Sequence, residues 1–408
     1  MRNIAFVTSE FIQPNESKTG GLGTYIWNIS NLLDKHGITV FIFIPGGENN
    51  SFRIPNTNIT VKEFFISQNT PSSFDKAKHF FLKRFSNYSY VYYLELRSRA
   101  IQIHDFLRVE NDNFQFDLIQ YSNLNGIGYF PLQDVCSVVR ISSLTHLYLK
   151  YGEGYYGIDP FKVQAQIRFE NKSYKKFKFI VGPSSYMLNH MKFIKDVFKT
   201  RILSPYENRT SFSVSEYTYT PNIKIGYFGS VDYRKGIDLL LDAISSLSEE
   251  KLSLTVVGKL YEDSPENRTI KQRILNQSNI IYFQSQSKFN LIRILQDVDI
   301  IVLPSRVDNL PNTLLESLGM GKIVVGPNAW GFEEVIEDGV NGFLFEVGSQ
   351  SSLTETLKVI LSLSNEERGT VCMKAKEFIS NYSSDYVFSN CMEVYNQCIK
   401  ISNNICVE

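Results

Sequence analysis

Short apolar, β-branched runs alternate with longer amphipathic segments along almost the whole of this 408-residue chain. Ile4–Val7 and Val40–Ile44 have the unbroken apolar character of strands buried on both faces, and Thr24–His36 between them has helical period. Leu118–Tyr121, Ser137–Ile141 and Phe179–Val181 continue the strand series. Strands hidden on both sides need helices above and below them, so the pattern specifies a parallel sheet covered on both faces. After Ser184 the pattern falters, and residues 203–222 are polar, contain two prolines and lack helical period, as a linker does. The alternation then restarts, with strands at Lys224–Phe228, Leu252–Val257, Ile280–Phe283, Ile300–Leu303 and Ile323–Val325 and helices at Gly236–Ser245, Lys288–Gln296 and Pro311–Gly319. The expected architecture is α/β: two Rossmann-like domains, residues 1–205 and 206–385, facing a cleft, then a terminal helical segment, residues 386–408, which overlaps the helical stretch Ser383–Ile401. Ligands of such sheets bind beyond the carboxyl ends of the strands, so chemistry is expected in the loops that follow strands.

Hydrophobic residues make up 43% of the chain, enough for packed cores, which excludes a disordered or fibrous protein. Lys plus Arg and Asp plus Glu both number 42, which argues against a uniformly basic nucleic-acid binder. Cys136, Cys372, Cys391, Cys398 and Cys406 form no C-x-x-C pair, and the five histidines are scattered, so neither a zinc site nor a disulfide framework is expected. The N-terminal MRNIAFVTSE has too little charge and apolar length for a signal peptide, and no run of ~20 apolar residues occurs to span a membrane. A cytoplasmic location is expected.

Four strand-end loops have chemical potential. Lys18-Thr19-Gly20-Gly21-Leu22-Gly23-Thr24 joins the first strand to the first helix; its glycines let backbone amides approach a ligand, and the helix start favours an anion. It is not the G-x-G-x-x-G of a dinucleotide site. Gly226-Tyr227-Phe228-Gly229-Ser230-Val231-Asp232-Tyr233-Arg234-Lys235-Gly236 ends a strand at a glycine and places a lysine six residues later at a helix start, which suits a diphosphate. Leu303-Pro304-Ser305-Arg306-Val307-Asp308-Asn309-Leu310-Pro311-Asn312-Thr313-Leu314-Leu315-Glu316 puts Asp308 in a loop and Glu316 more than a turn into the next helix. There Glu316 can accept from vicinal hydroxyls such as a ribose, while the free amides of Asn312 and Thr313 can meet phosphate. The fourth loop, Gly326–Ile336, feeds a helix and then the turn Asp338–Gly342. As scaffold, these same residues would be a tight turn, a solvated helix start, a helix cap and an exposed helix face.

The order and spacing of these motifs resemble the retaining nucleotide-sugar glycosyltransferases of family 4, which have the GT-B fold. The likeness spans nearly the whole chain and is strongest from Gly226 to Phe345. It implies that Glu316 holds the donor ribose, that Asp308 lies near the transferred sugar as a catalytic group, and that Lys235 contacts the diphosphate and supports its departure. Gly229, Ser230, Arg234, Leu310, Asn312 and Thr313 fall on the same donor side. The N-terminal K-T-G-G-L is similar to the loop of bacterial glycogen synthases, which makes Lys18, Gly20 and Gly21 donor-side candidates. It further implies that the terminal helix crosses back to the N-terminal domain and that no metal or other cofactor is required.

The chain departs from that family at several points. Ser230 stands where an arginine is usual, Asp308 is a methylene shorter than the usual glutamate, Pro311 offers no N–H, and Ser142 stands near the place of a frequent histidine, with His146 close by but out of register. Glu170 falls where the family has a glutamate at a helix start. Asp297-Val298-Asp299 mimics a metal-binding D-x-D but reads as scaffold between a helix and a buried strand.

The expected activity is transfer of a sugar, with retention, from a nucleoside diphosphate sugar to a glycan or lipid-linked acceptor. Rivals are a glucan synthase, a nucleotide-sugar epimerase and a non-catalytic nucleotide-sugar-binding protein. The neutral charge total is a cancellation: residues 1–205 carry 24 basic and 16 acidic side chains, and residues 206–408 carry 18 and 26, giving +8 and −8. A basic acceptor half suits an anionic acceptor or peripheral contact with a phospholipid surface. The basic, aromatic stretch 76–101 suits the same contact, or an amphipathic core helix.

Overall fold

A computed structural model describes residues 1–11, 20–46, 48–67, 88–150, 159–205, 223–247 and 252–405. The first sheet contains β1 Asn3–Val7, β2 Thr39–Pro45, β3 Asn50–Arg53, β4 Ile59–Phe64, β5 Leu118–Ser122, β6 Cys136–Arg140, β7 Phe179–Gly182 and β8 Phe198–Arg201. Its order is β3-β4-β2-β1-β5-β6-β7-β8, with β3 antiparallel to β4 and the other pairs parallel. The second contains β9 Ile223–Phe228, β10 Leu252–Val257, β11 Ile280–Phe283, β12 Ile300–Val302, β13 Ile323–Pro327 and β14 Phe343–Phe345, all parallel, in the order β11-β10-β9-β12-β13-β14. Every residue of β5, β12 and β13 is buried, as expected of strands covered by helices on both faces.

In each sheet the chain winds outward in both directions from a central pair, β1 and β5 in the first and β9 and β12 in the second. The loops leaving such a pair diverge to opposite faces and open a crevice at the strand ends. The two crevices face each other. Asn309 spans them, accepting from Ser184 Oγ at 2.7 Å and donating through Nδ2 to the Ser142 carbonyl at 3.0 Å. Glu334 adds a second tie, accepting from Arg201 at 2.8 Å and from the Tyr186 amide at 2.9 Å.

The terminal helix Ser384–Ile405 buries Val387, Cys391, Val394, Tyr395 and Cys398 and packs on β6 and on the helix Gly21–Lys35. Tyr395 Oη donates to Gln120 Oε1 on β5 at 2.7 Å. Cys136, Cys372, Cys391 and Cys398 are buried. Much of the linker, residues 206–222, lies outside the described residues, as do residues 76–87 of the basic, aromatic stretch; its remainder opens the helix Tyr88–Phe114. Among the described residues no helix is long and apolar enough to cross a membrane.

Candidate active site

A cavity of about 540 Å³ lies between the two sets of strand-end loops. It is lined by Gly20 and Gly21 from the first sheet's side, and by Gly229, Ser230, Arg234, Lys235, Asp308, Leu310, Asn312, Thr313 and Glu316 from the second. Every donor-side candidate from the sequence is there except Lys18, which lies outside the described residues.

Lys235 is placed by a short turn after β9. Asp232 caps that turn by accepting the Lys235 amide at 2.9 Å, and Gly236 leaves it with φ +70°. A Cβ on Gly236 would lie 1.9 Å from the Pro304 carbonyl oxygen, so only glycine lets this turn approach the end of β12. Arg306 holds the turn from behind. It forks onto Asp238 at 2.7 and 2.6 Å, donates to the Tyr233 carbonyl at 2.6 Å and stacks 3.7 Å from the Tyr233 ring centre. The Lys235 ammonium thereby meets Asp308 Oδ2, which also accepts from Ser305 Oγ at 3.2 Å, while Oδ1 accepts the Asn309 amide at 2.9 Å. Burial alone would raise the Asp308 carboxyl, but Lys235 and Arg234 outweigh it and hold the carboxyl below its ordinary range. Asp308 is thus a buried, ionised tether of Lys235.

The helix Asn312–Gly319 begins immediately after Pro311, which occupies the N-cap position with ψ 134° and not the first helical position. The Leu314 amide is taken by the Pro311 carbonyl, leaving the amides of Asn312 and Thr313 as the helix's open donors. Asn312 Nδ2 reaches the Gly21 carbonyl at 3.4 Å, so the two helix starts meet across the cavity. Glu316 lies four residues beyond Asn312, ~6 Å along the axis, about the separation of a diphosphate from its ribose.

The wall made by the first sheet contains groups that lie outside the four loop motifs. Arg140, at the end of β6, is buried beneath Tyr25 and reaches the cavity, as do Glu10 and Tyr148. The signal was present in Val138-Val139-Arg140-Ile141, since a cation inside an apolar run needs a partner or a purpose. Ser142 lines the cavity and presents its carbonyl to Asn309; His146 is not among the lining residues. Glu170 sits near the end of the helix Pro160–Tyr174, not at a helix start. It is buried there, accepting from Thr145 Oγ1 at 2.7 Å, Gln166 at 2.9 Å and the Asn125 amide at 3.0 Å, and so it braces two loops of this wall. Asp299 accepts the Lys224 amide at 2.8 Å and Asp297 caps a helix, so both serve as scaffold. Among the described residues no three His, Cys, Asp or Glu side chains are grouped to hold a metal ion.

Two doubly wound sheets facing one cleft, with a terminal helix returning to the first, define the GT-B fold. Comparison with solved structures agrees. Sucrose-phosphate synthase from Thermosynechococcus elongatus superposes with a TM-score of 0.77 over 98% of this chain and 100% of its own, at 14% identity. Anabaena HepE, solved with UDP and glucose, gives a TM-score of 0.66 over 97% and 100% of the two chains, also at 14% identity.

Residues 209–377 match the family Glycosyl transferases group 1. Curated relatives include an uncharacterized glycosyltransferase of Methanocaldococcus jannaschii, 28% identical over 42% of this chain and 47% of its own. A glycogen synthase of Thermodesulfovibrio yellowstonii is 26% identical over 40% and 34% of the two chains. The N,N'-diacetylbacillosaminyl-diphospho-undecaprenol alpha-1,3-N-acetylgalactosaminyltransferase of Campylobacter jejuni is 24% identical over 41% and 43%. These matches span less than half the length of each relative.

Proposed function

We propose that this protein is a glycosyltransferase that moves a sugar, with retention, from a nucleoside diphosphate sugar to a glycan or lipid-linked acceptor on the cytoplasmic side of a membrane. The observation that supports it best is the convergence on one cavity of a tethered lysine, two helix starts and, a helical turn further on, a carboxylate. The Lys235 ammonium and the amides of Asn312 and Thr313 receive the diphosphate, and Glu316 accepts from the ribose hydroxyls. The family matched by residues 209–377 and the UDP in the structurally similar HepE support that assignment.

In the transfer, an acceptor hydroxyl attacks the anomeric carbon from the face the diphosphate leaves. The carbon–oxygen bond to the acceptor forms as the bond to diphosphate breaks, and the hydroxyl proton passes to a departing phosphate oxygen. Negative charge grows on the diphosphate, where Lys235 and the helix amides, already in place, stabilise it without reorganising. The ties through Asn309 and Glu334 keep the two walls together around the reacting atoms and limit water, hence donor hydrolysis.

A thermal-shift panel of UDP, GDP, ADP and their sugars tests the donor site. A ligand at a hundred times its Kd adds about 2.7 kcal/mol, or roughly 5–10 °C for a domain of this size. Glu316→Ala is expected to abolish the shift by the best nucleotide. An undiminished shift in that variant would overturn the ribose assignment.

A further inference from the structure

Arg140 has no role in the donor site described above, yet it is 2% exposed and reaches the same cavity from the opposite wall. Its guanidinium carbon lies 3.6 Å from the centre of the Tyr25 ring, and Nη2 donates to Ser204 Oγ at 3.0 Å. Nε and Nη1 are buried without a hydrogen-bond partner, and among the described residues Arg140 forms no ion pair. Its neighbours supply no counter-charge, because burial pushes the phenols of Tyr25 and Tyr395 up and keeps them protonated. A buried cation with partnerless donors is costly to maintain unless a ligand completes it.

The group is also held in place. Tyr25 Oη accepts from Gln120 Nε2 at 3.4 Å, and Gln120 Oε1 accepts from Tyr395 Oη at 2.7 Å, so a chain of contacts runs from the guanidinium to the terminal helix. Such support fixes the plane of an arginine that must meet a ligand at one angle. Tyr25 lies four residues beyond Gly21, ~6 Å along the helix, so Arg140 stands about a turn away from the helix start at Gly21 that lines the same cavity. Glu10, on the same wall, has a partnerless buried Oε2 that suits a hydroxyl.

We propose that Arg140 is an acceptor-side anion subsite, binding a carboxylate or phosphate carried by a hydroxyl-bearing acceptor. The subsite rests on the transferase reading and narrows it to acidic acceptors. Ser204 holds one end of the guanidinium and Tyr25 covers one face, so the open donors define where the oxyanion sits. A desolvated arginine then selects a charged acceptor over its neutral counterpart.

The test is calorimetric titration of the full chain, first saturated with its best nucleoside diphosphate, with a hexuronate, a hexose 6-phosphate and the neutral hexose. One charged sugar is expected to bind at least tenfold more tightly than the neutral one, and which one does so identifies carboxylate or phosphate as the source. Arg140→Gln should bring the charged sugar to the neutral level while nucleoside diphosphate affinity stays within twofold. Where Arg140→Gln does not fold, Arg140→Lys keeps the buried charge and is expected to weaken the charged sugar at least fivefold. Equal binding of all three sugars, or an unchanged charged-sugar affinity in the variants, would overturn the subsite and leave the donor site standing. A parallel loss of nucleotide would overturn it by placing Arg140 in the donor site. Failure of the unaltered protein to bind any nucleoside diphosphate would overturn the transferase reading itself, and the subsite with it.

Discussion

Asp308 and Lys235 form the ion pair at the centre of the cavity, with side chains 11% and 19% exposed. Removing one member of a pair so deeply placed leaves the other charge without compensation, at a typical cost of 3–5 kcal/mol. The partial exposure of Lys235 puts this pair near the lower end, about 3 kcal/mol, which corresponds to roughly 6–12 °C for a domain of this size. Asp308→Asn preserves shape and removes the charge; Lys235→Met removes the cation and orphans the carboxylate. The double variant orphans neither, because Arg234 retains Asp232 at 3.3 Å. It should therefore be destabilised by about as much as either single variant, giving a coupling of ~2–3 kcal/mol in a urea-unfolding cycle. The singles should diverge in nucleotide binding. Lys235→Met loses a charge-assisted contact worth about 1.5–3 kcal/mol, roughly 10–100-fold in affinity. Asp308→Asn removes a negative charge beside the phosphates and should not weaken the nucleotide. Additive stabilities within ~0.5 kcal/mol, or equal nucleotide losses in both singles, would refute the tether.

Two further predictions concern the frame around that pair. Gly236→Ala forces a Cβ against the Pro304 carbonyl at positive φ and should cost about 3 kcal/mol or more, read as a fall in Tm, whereas Gly21→Ala, with nothing near its Cβ, should change Tm little. A Gly236→Ala protein melting with the wild type would contradict the close approach. Burial lowers the Lys322 ammonium from 10.5 to about 8, even as it donates to the carbonyls of Gln296 and Val298. Between about pH 8 and 10 the folded protein has released a proton that the unfolded chain keeps, so this group makes stability rise with pH by up to about 3 kcal/mol. Chemical unfolding across that range should show a slope that Lys322→Met flattens; an identical slope in the variant would exclude the assignment.

The doubly wound architecture was legible because strands covered on both faces must be unbroken apolar runs, as Ile4–Val7 and Ile300–Leu303 are. The edge strands Asn50–Arg53 and Phe343–Phe345 gave no such signal. Residues Asn50–Arg53 are largely exposed, and Phe343–Phe345 spans only three residues. The wall of the cavity made by the second sheet could be read because glycines, a cation and a carboxylate recur at fixed distances around two helix starts. The role of Asp308 could not, because its pairing with Lys235 joins positions 73 residues apart through the Gly236 turn. Glu170 was misplaced for a similar reason, its function being set by loops that only the tertiary fold brings to it. Arg140 had a legible anomaly, a charge in an apolar strand, but its unpartnered donors are a property of the folded wall.

The central claim is transfer of a sugar from a nucleoside diphosphate, and its direct measurement is release of free nucleoside diphosphate from a panel of nucleotide sugars, with and without acceptors. Release is expected from at least one donor, accelerated by acceptor, undiminished by a metal chelator and lost in Lys235→Met, with an anomeric NMR signal in the product matching the donor configuration. No release from any donor under any of these conditions, from a folded protein that binds the nucleotide, would contradict it and leave a binding protein in its place.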